Sequence, residues 1–327
     1  MKFSDIIGQS TLVNYLKSIL ASGRIAHSYI FTGPRGVGKK TISNIFAKAL
    51  VCYEQKQEPC NICRSCGQFE SGNHPDIYRV VSDKKTIGVD SIRDMQSDIK
   101  VKPFQGDRKI YIIDKADTMT VQAQNALLKT LEEPPEYAVI ILLTSNISSL
   151  LPTVLSRCQL IKIPRLSPTH ITSIVEKNLA IPKEQALIYA KLSEGLPGKA
   201  LELAGSQEYQ QLREDVLNLI EKLIHANTLE AMGYTGFFEE RRDRIDDVLD
   251  LLELWLRDIL VYKENGKIDL IINMDRISTI KTLSKSFTTN KIHDMIEKVE
   301  DTKKMLNSYA NFQMAIENML VNIRGSD

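Results

Sequence analysis

Apolar residues recur at two different periods along this chain, and the change of period divides it. In the first half, short runs that are apolar throughout alternate with segments of helical spacing. Residues 11–20 place apolar side chains at three- and four-residue intervals and predict a helix. Ser28-Tyr29-Ile30-Phe31-Thr32 then predicts a short strand, and residues 41–51 a second helix with Ile42, Ile45, Phe46, Ala49 and Leu50 on one face. Further strands are predicted over 76–81, 109–114, 138–144 and 159–163, separated by helical patterns. Strands that alternate with helices imply a parallel sheet covered on both faces. Beyond Pro164 the pattern changes to short helices broken at Pro182, Gly195 and Pro197-Gly198. From about Gln210 onward only long amphipathic patterns appear, with no convincing strand. Trp255, the single tryptophan, falls among apolar residues at helical spacing in 248–262, which predicts a core position. The expected fold class is α/β first, then all-α in two pieces.

A length of 327 residues exceeds one ordinary core and predicts two or three domains. Apolar residues at 43% and charged residues at 25% describe an ordinary globular chain, and a net charge of +1 gives no whole-molecule field for nucleic acid or membranes. Any DNA contact must come from a local patch or from partners. Met1-Lys2-Phe3-Ser4-Asp5 has no apolar signal core, and no run approaches the roughly 18 apolar residues of a membrane span. The expectation is a cytoplasmic protein without membrane contact.

The predicted strand 28–32 runs into Gly33-Pro34-Arg35-Gly36-Val37-Gly38-Lys39-Lys40, and a helix follows. Strand, glycine loop and helix together form the context of a phosphate-binding loop. In the pattern G-x-x-x-x-G-K-[ST], glycine N–H groups wrap phosphate oxygens, the lysine reaches the β/γ-phosphates and the final hydroxyl holds Mg²⁺. Gly33, Gly36, Gly38 and Lys39 are in place, but Lys40 stands where the hydroxyl belongs, and an ammonium repels a metal ion. Thr41 is the nearest hydroxyl. The strand 109–114 ends in Asp114, where such enzymes hold Mg²⁺; the next residue, commonly a glutamate that activates water, is Lys115. Two independent catalytic positions thus carry lysine, which points to loss of hydrolysis. Whether nucleotide binds at all stays open, since Lys40 can add charge for phosphates or fill their place.

Four of five cysteines crowd into Cys52, Cys60, Cys63 and Cys66. In a reducing compartment such clustering argues for metal, and four thiolates complete a closed tetrahedral Zn²⁺ shell with no open position for catalysis. His74 is a less favoured alternative ligand. Cys158 stands apart with nothing local to mark it as a nucleophile. Ser156-Arg157-Cys158 places an arginine at the edge of the nucleotide-type domain.

Together, Ile7-Gly8-Gln9, the segment 23–27, the glycine loop, the inserted cysteines, Asn125-Ala126-Leu127-Leu128-Lys129-Thr130-Leu131-Glu132-Glu133-Pro134-Pro135 and Leu155-Ser156-Arg157-Cys158 resemble the bacterial clamp-loader subunits of the AAA+ class. Residues 1–205 carry the resemblance; Asn307-Ser308-Tyr309-Ala310-Asn311 is a weak echo of it in the C-terminal helices. It implies an AAA+ P-loop domain over 1–165 with a zinc module at 52–66, a small helical lid over 166–207 and a helical oligomerisation collar over 208–327. It further implies partners in a hetero-oligomeric ring within a DNA polymerase holoenzyme, with DNA and a sliding clamp engaged through the complex. The motor subunits of that family carry a hydroxyl after the loop lysine, an acidic pair at the strand end and a nucleotide-sensing arginine where this chain has Gly198. The three departures resemble a non-hydrolysing ring member, which donates Arg157 in trans as a finger to a neighbour's ATP. Thr144, Ser145 and Asn146 fall where the family has a polar sensor and are expected to be structural here. Two alternatives remain: an active clamp-loader ATPase using Thr41 or a neighbour as metal ligand, and a zinc-stabilised DNA-binding module using Lys84-Lys85, Lys100, Lys102 and Arg108-Lys109.

Overall fold

The structure, a computed structural model, describes residues 1–54, 57–80, 86–308 and 311–324. The predicted pair Lys84-Lys85, the last residue of the predicted strand 76–81 and Tyr309-Ala310 lie outside the described residues. Two compact units are present: Met1–Ile174 with Ser193–Lys199, and Val175–Leu192 with Ala200–Asp327.

The first unit is built on five parallel strands: β1 (Ser28–Thr32), β2 (Ile77–Val80), β3 (Lys109–Ile113), β4 (Ala138–Thr144) and β5 (Gln159–Lys162), in the order β2-β3-β4-β1-β5. Side chains alternate across a strand, and here both sets are apolar. Tyr29, Phe31, Ile110, Ile112, Val139, Ile141 and Leu143 lie in one core cluster with helix α1 (Ser10–Ser22) and helix α2 (Lys39–Val51). Ile30, Tyr111, Ile113, Ala138, Ile140 and Leu142 lie in the other, with α4 (Val89–Asp98) and α5 (Val121–Glu132). Every predicted core residue of α2 is buried. A short helix, α3 (Arg64–Glu70), is capped by Cys63 and carries Cys66, the last cysteine of the cluster.

Two segments differ from the sequence expectation. Pro197-Gly198, predicted as a break, are the first residues of helix α9 (Pro197–Gly205). Proline at a first helical position costs no hydrogen bond, because that N–H has no partner in the helix anyway. Lys109, predicted in a basic surface pair, is a buried β3 residue whose ammonium pairs with Asp98 at 2.9 Å and reaches the carbonyls of Asp98 and Val101. With Arg108 half-buried, Lys100 and Lys102 are the members of that cluster left exposed among the described residues.

The second unit is helical, with no strand among its described residues. Its centre is α13 (Ile245–Asn265), which packs against α10 (Gln207–Leu223), α14 (Ile277–Ser286) and α15 (Thr289–Asn307). Trp255 on α13 is fully buried, as its spacing predicted. The carboxylate of Asp258, also fully buried, accepts the backbone N–H groups of Ile272 and Asn273 and the side-chain amide of Asn273, so the turn after α13 is tied to its middle.

The loop that leads into β3 is fixed by a single acid. Asp76, 1% exposed, accepts the backbone N–H of Phe104 at 2.5 Å and of Gln105 at 2.8 Å, while its own carbonyl accepts Ile110 N–H. Hydrogen bonds to a buried charge contribute about 1.5–3 kcal/mol. Asp76→Ala should therefore lower stability by about that amount, read as a shifted urea midpoint by far-ultraviolet circular dichroism, with Asp76→Asn losing less because one acceptor remains.

Candidate functional site

Parallel pairing brings three strand ends together. Thr32 of β1 registers with Thr144 of β4, and Ile113 of β3 with Leu142 of β4, so the segments that follow β1, β3 and β4 emerge side by side. The phosphate loop leaves β1 here, and Gly33 N–H donates to the Thr144 carbonyl at 3.3 Å. Gly36 and Gly38 take φ values of 83° and 101°, which side chains disfavour. Gly38 caps the N-terminus of α2, as the glycine-loop pattern requires.

Lys39 is turned back onto its own loop. Its ammonium donates to the Gly33 carbonyl at 2.6 Å, the Pro34 carbonyl at 2.9 Å and Ser145 Oγ at 2.9 Å, which accounts for its three donors. Burial lowers its pKa, and the nearby Asp117 and Asp114 oppose that shift. Ser145, expected to be structural here, is a direct partner of the loop lysine. Thr144 and Asn146 serve the turn itself, through Thr144 Oγ1 to the Asn146 carbonyl and Asn146 N–H to Thr144 Oγ1.

The residue in the hydroxyl position pairs with the acid that would share a metal with it. Lys40 Nζ lies 3.6 Å from Asp114 Oδ2, both side chains being well exposed. Such a pair contributes little stability, but it sets a monocation where a divalent ion would be held. Lys115 follows with φ 53°, a left-handed conformation uncommon for lysine, and its N–H donates to Asp114 Oδ1 at 3.0 Å. Thr41 is half-buried in the first turn of α2, about 100° round the helix from position 40. Lys40 does not fit a hydrated Mg²⁺: its ammonium stands in the hydroxyl position and is paired with Asp114, the acid at the end of β3.

A second closure comes from the segment 193–199. Gly198 N–H donates to the Gly36 carbonyl at 2.8 Å, and a Cβ on Gly198 would meet Gly36 Cα and O at 2.9 Å. No side chain fits at 198 while this contact holds, whichever residue it is. The carbonyl of Gly195, which has φ 87°, accepts Leu166 N–H at 2.9 Å, and Arg165 donates to the Glu194 carbonyl at 2.6 Å, so the segment is anchored just before Gly198.

The cysteine cluster is independent of this loop. The sulfurs of Cys52, Cys60, Cys63 and Cys66 all lie within 4.8 Å of one another, with Cys60 and Cys66 at 3.9 Å. Four sulfurs about 2.3 Å from one tetrahedral ion stand about 3.8 Å apart, so the residues fit such an ion. Backbone N–H groups of Cys60, Cys63 and Cys66 point at Cys52, Cys60 and Cys63 sulfur at 3.3–3.4 Å, favouring thiolates. The N–H of Ile62 leads in drawing the Cys60 thiol down to about 6, whereas burial pushes the Cys52 and Cys66 thiols up. A bound cation would favour the charged form of those two buried thiols. His74 is not a ligand: its Nε2 lies 2.9 Å from Ser65 Oγ and its Nδ1 accepts Asp76 N–H at 3.1 Å. The buried ammonium of Lys48 joins α2 to this region through Asn61 Oδ1 at 2.6 Å and Glu70 Oε1 at 2.5 Å, a link with no sequence signal.

Arg157 follows α6 (Pro152–Leu155), and Ser28 Oγ fixes its backbone by donating to its carbonyl at 2.7 Å. The guanidinium bonds the Thr153 carbonyl at 2.9 Å and Ser156 Oγ at 3.3 Å, and pairs with Glu132 Oε1 at 2.7 Å. Cys158 is half-buried, and that burial raises its pKa, which disfavours the thiolate.

The strand order, with a phosphate loop after β1 and an acid after β3, defines a P-loop domain of the AAA+ type. A family model described as "DNA polymerase III, delta subunit" matches residues 8–167, and "DNA polymerase III, delta subunit, C terminal" matches 207–325. The chain is 32% identical over 318 residues to DNA polymerase III subunit delta' of Bacillus subtilis (strain 168), covering 96% of this chain and 95% of that protein. It is 28% identical over 321 residues to subunit tau of the same organism, covering 90% of this chain and 56% of that one. A solved structure of the Bacillus subtilis DNA clamp loader delta protein has a TM-score of 0.37 and 14% identity, covering 95% of this chain and 99% of that chain. The chain belongs to the clamp-loader subunits of DNA polymerase III. Among the described residues no helix is long and apolar enough to cross a membrane.

The contact between Gly198 and the loop has a direct test. Gly198→Ala forces backbone apart at 2.9 Å and should lower stability by about 1–3 kcal/mol, measured by chemical unfolding, with increased hydrogen exchange at residues 33–39 and 193–199.

Proposed function

We propose that this chain is the delta-prime-type member of a clamp loader: a subunit that does not hydrolyse ATP and presents Arg157 to nucleotide held by a neighbouring motor subunit. In the cytoplasm, it works inside a hetero-oligomeric ring that loads a sliding clamp on primed DNA, and it meets DNA and clamp through that complex. Residues 166–207 act as a lid and 208–327 as the collar that joins the ring. The observation that carries this reading is the Lys40–Asp114 pair at 3.6 Å, which sets an ammonium between the loop and the acid that a motor would use for Mg²⁺. Lys39 bonded to its own loop and Gly198 seated on Gly36 support it. A motor role would require Thr41 to turn about a quarter of a helical circle into the position of Lys40. A DNA-binding module would require a contiguous basic face, and Lys109 is buried against Asp98.

Arg157 needs only rigid presentation, since a finger acts by placing positive charge on the transferring phosphoryl group. Ser28, Thr153, Ser156 and Glu132 supply that rigidity. The four cysteines hold a structural Zn²⁺, which stabilises residues 52–70 and leaves no open ligand position.

Arg157→Ala should leave the isolated chain folded and lower ATP turnover of the reconstituted ring by about tenfold or more, fingers being worth about 10³–10⁵ in single-site nucleotidases. Normal turnover in that ring would refute the finger role. The isolated native chain should show no Mg²⁺-dependent ATPase activity.

For the cysteine site, elemental analysis should give about one zinc per chain, four thiolates forming one closed shell. Chelation should raise hydrogen exchange across residues 52–70 while the sheet stays protected. A metal-free but equally protected native protein would sink the zinc assignment.

A further inference from the structure

We infer that Glu132 is a positioning residue for Arg157, an inference that rests on the finger reading above. Glu132 and Glu133 end α5, where the helix dipole disfavours carboxylates. The Glu132 side chain is half exposed, so it is free to extend into water. Instead its Oε1 lies 2.7 Å from Arg157 Nη2. The pair is too exposed to add much stability, so what it contributes is geometric. Arg157 sits just past α6, and its Nη1 is already held by the Thr153 carbonyl and Ser156 Oγ, both from that turn. Those two acceptors alone leave the guanidinium free to swing about Nη1. Glu132 arrives from a different helix and takes the other terminal nitrogen, which fixes the guanidinium plane between α5 and α6.

Three acceptors engage a group with five N–H donors, so donors remain for a nucleotide presented by a neighbour. The carbonyl of Arg157 is meanwhile anchored to β1 through Ser28. Backbone and side chain are thus both set by elements of the sheet domain, and Glu132 is the one charged acceptor in that set. It spares the ring the ordering of a long side chain at each turnover.

The experiment uses the complete ring reconstituted with its ATPase subunits. Glu132→Gln keeps shape and removes charge; it should lower kcat for ATP by about three- to tenfold with KM for ATP unchanged, the effect of un-fixing one rotamer-rich side chain. Glu132→Asp should recover part of that loss. On an Arg157→Ala background Glu132→Gln should have no further effect, because both substitutions act through one group. Ring assembly, followed by size-exclusion chromatography, should match the native complex for each variant. An unchanged or raised kcat for Glu132→Gln, or a loss that adds to that of Arg157→Ala, overturns the positioning role. If Arg157→Ala is itself without effect, the finger reading fails and this inference with it; if Arg157→Ala is crippled and Glu132→Gln is not, the positioning role alone fails.

Discussion

The three central strands, β1, β3 and β4, are buried along their whole length, and this single constraint decides where anything polar can stand. Tyr29, Phe31, Ile110 and Ile112 face α1 and α2, while Ile30, Tyr111 and Ile113 face α4 and α5, so no side chain in the middle of the sheet is available for chemistry. Ligand groups are pushed to the strand ends, as in other open parallel sheets. Because β1, β3 and β4 are neighbours in register, the glycine loop, Asp114 and Ser145 share one such end. Arg157 is set by the other half of the same logic: Ser28, the first residue of β1, holds its carbonyl. The loop and the arginine are therefore carried by opposite ends of one rigid strand.

At the loop, the protein has supplied from its own chain what a nucleotide and its metal supply elsewhere. Lys39 finds carbonyl and hydroxyl acceptors within its own unit, the Gly36 carbonyl finds the Gly198 N–H, and Asp114 finds the Lys40 ammonium. A phosphate loop left without ligand presents concentrated donors and a helix N-terminus with positive potential. Here the loop lysine, the Gly36 carbonyl and Asp114 are each paired within the chain, which ties the loop to its surroundings. The cysteine cluster follows the same economy on a smaller scale, since a few residues with little apolar content are ordered around four sulfurs.

Much of this was legible in the sequence because it is local. The glycine loop, the cysteine spacing and the Trp255 helix each declare themselves within about twenty residues. Lys40 and Lys115 were readable as departures, but only strand register shows that Lys40 meets Asp114. Gly198 was readable as a missing arginine, whereas its seat against Gly36 depends on two segments far apart in the chain. Glu132 lay in plain view inside a recognised motif, yet its role depends on how α5 and α6 sit beside each other. Pro197 misled because proline breaks a helix in its interior and begins one at its first residue, and spacing alone does not separate the two cases. Lys109 misled for a related reason: a lysine at the start of a strand looks solvated until a carboxylate, Asp98, is found beneath it.

Trp255 is the protein's one indole, and it is buried within the helical unit, whereas the loop, the cysteines and Arg157 all belong to the other. Intrinsic indole emission is therefore a spectroscopic reporter of the helical unit by itself. The sheet unit answers only through tyrosines such as Tyr29 and Tyr111, both fully buried against it. Excitation at the red edge of the absorption band thus follows the melting of the helical unit by itself in an unlabelled sample.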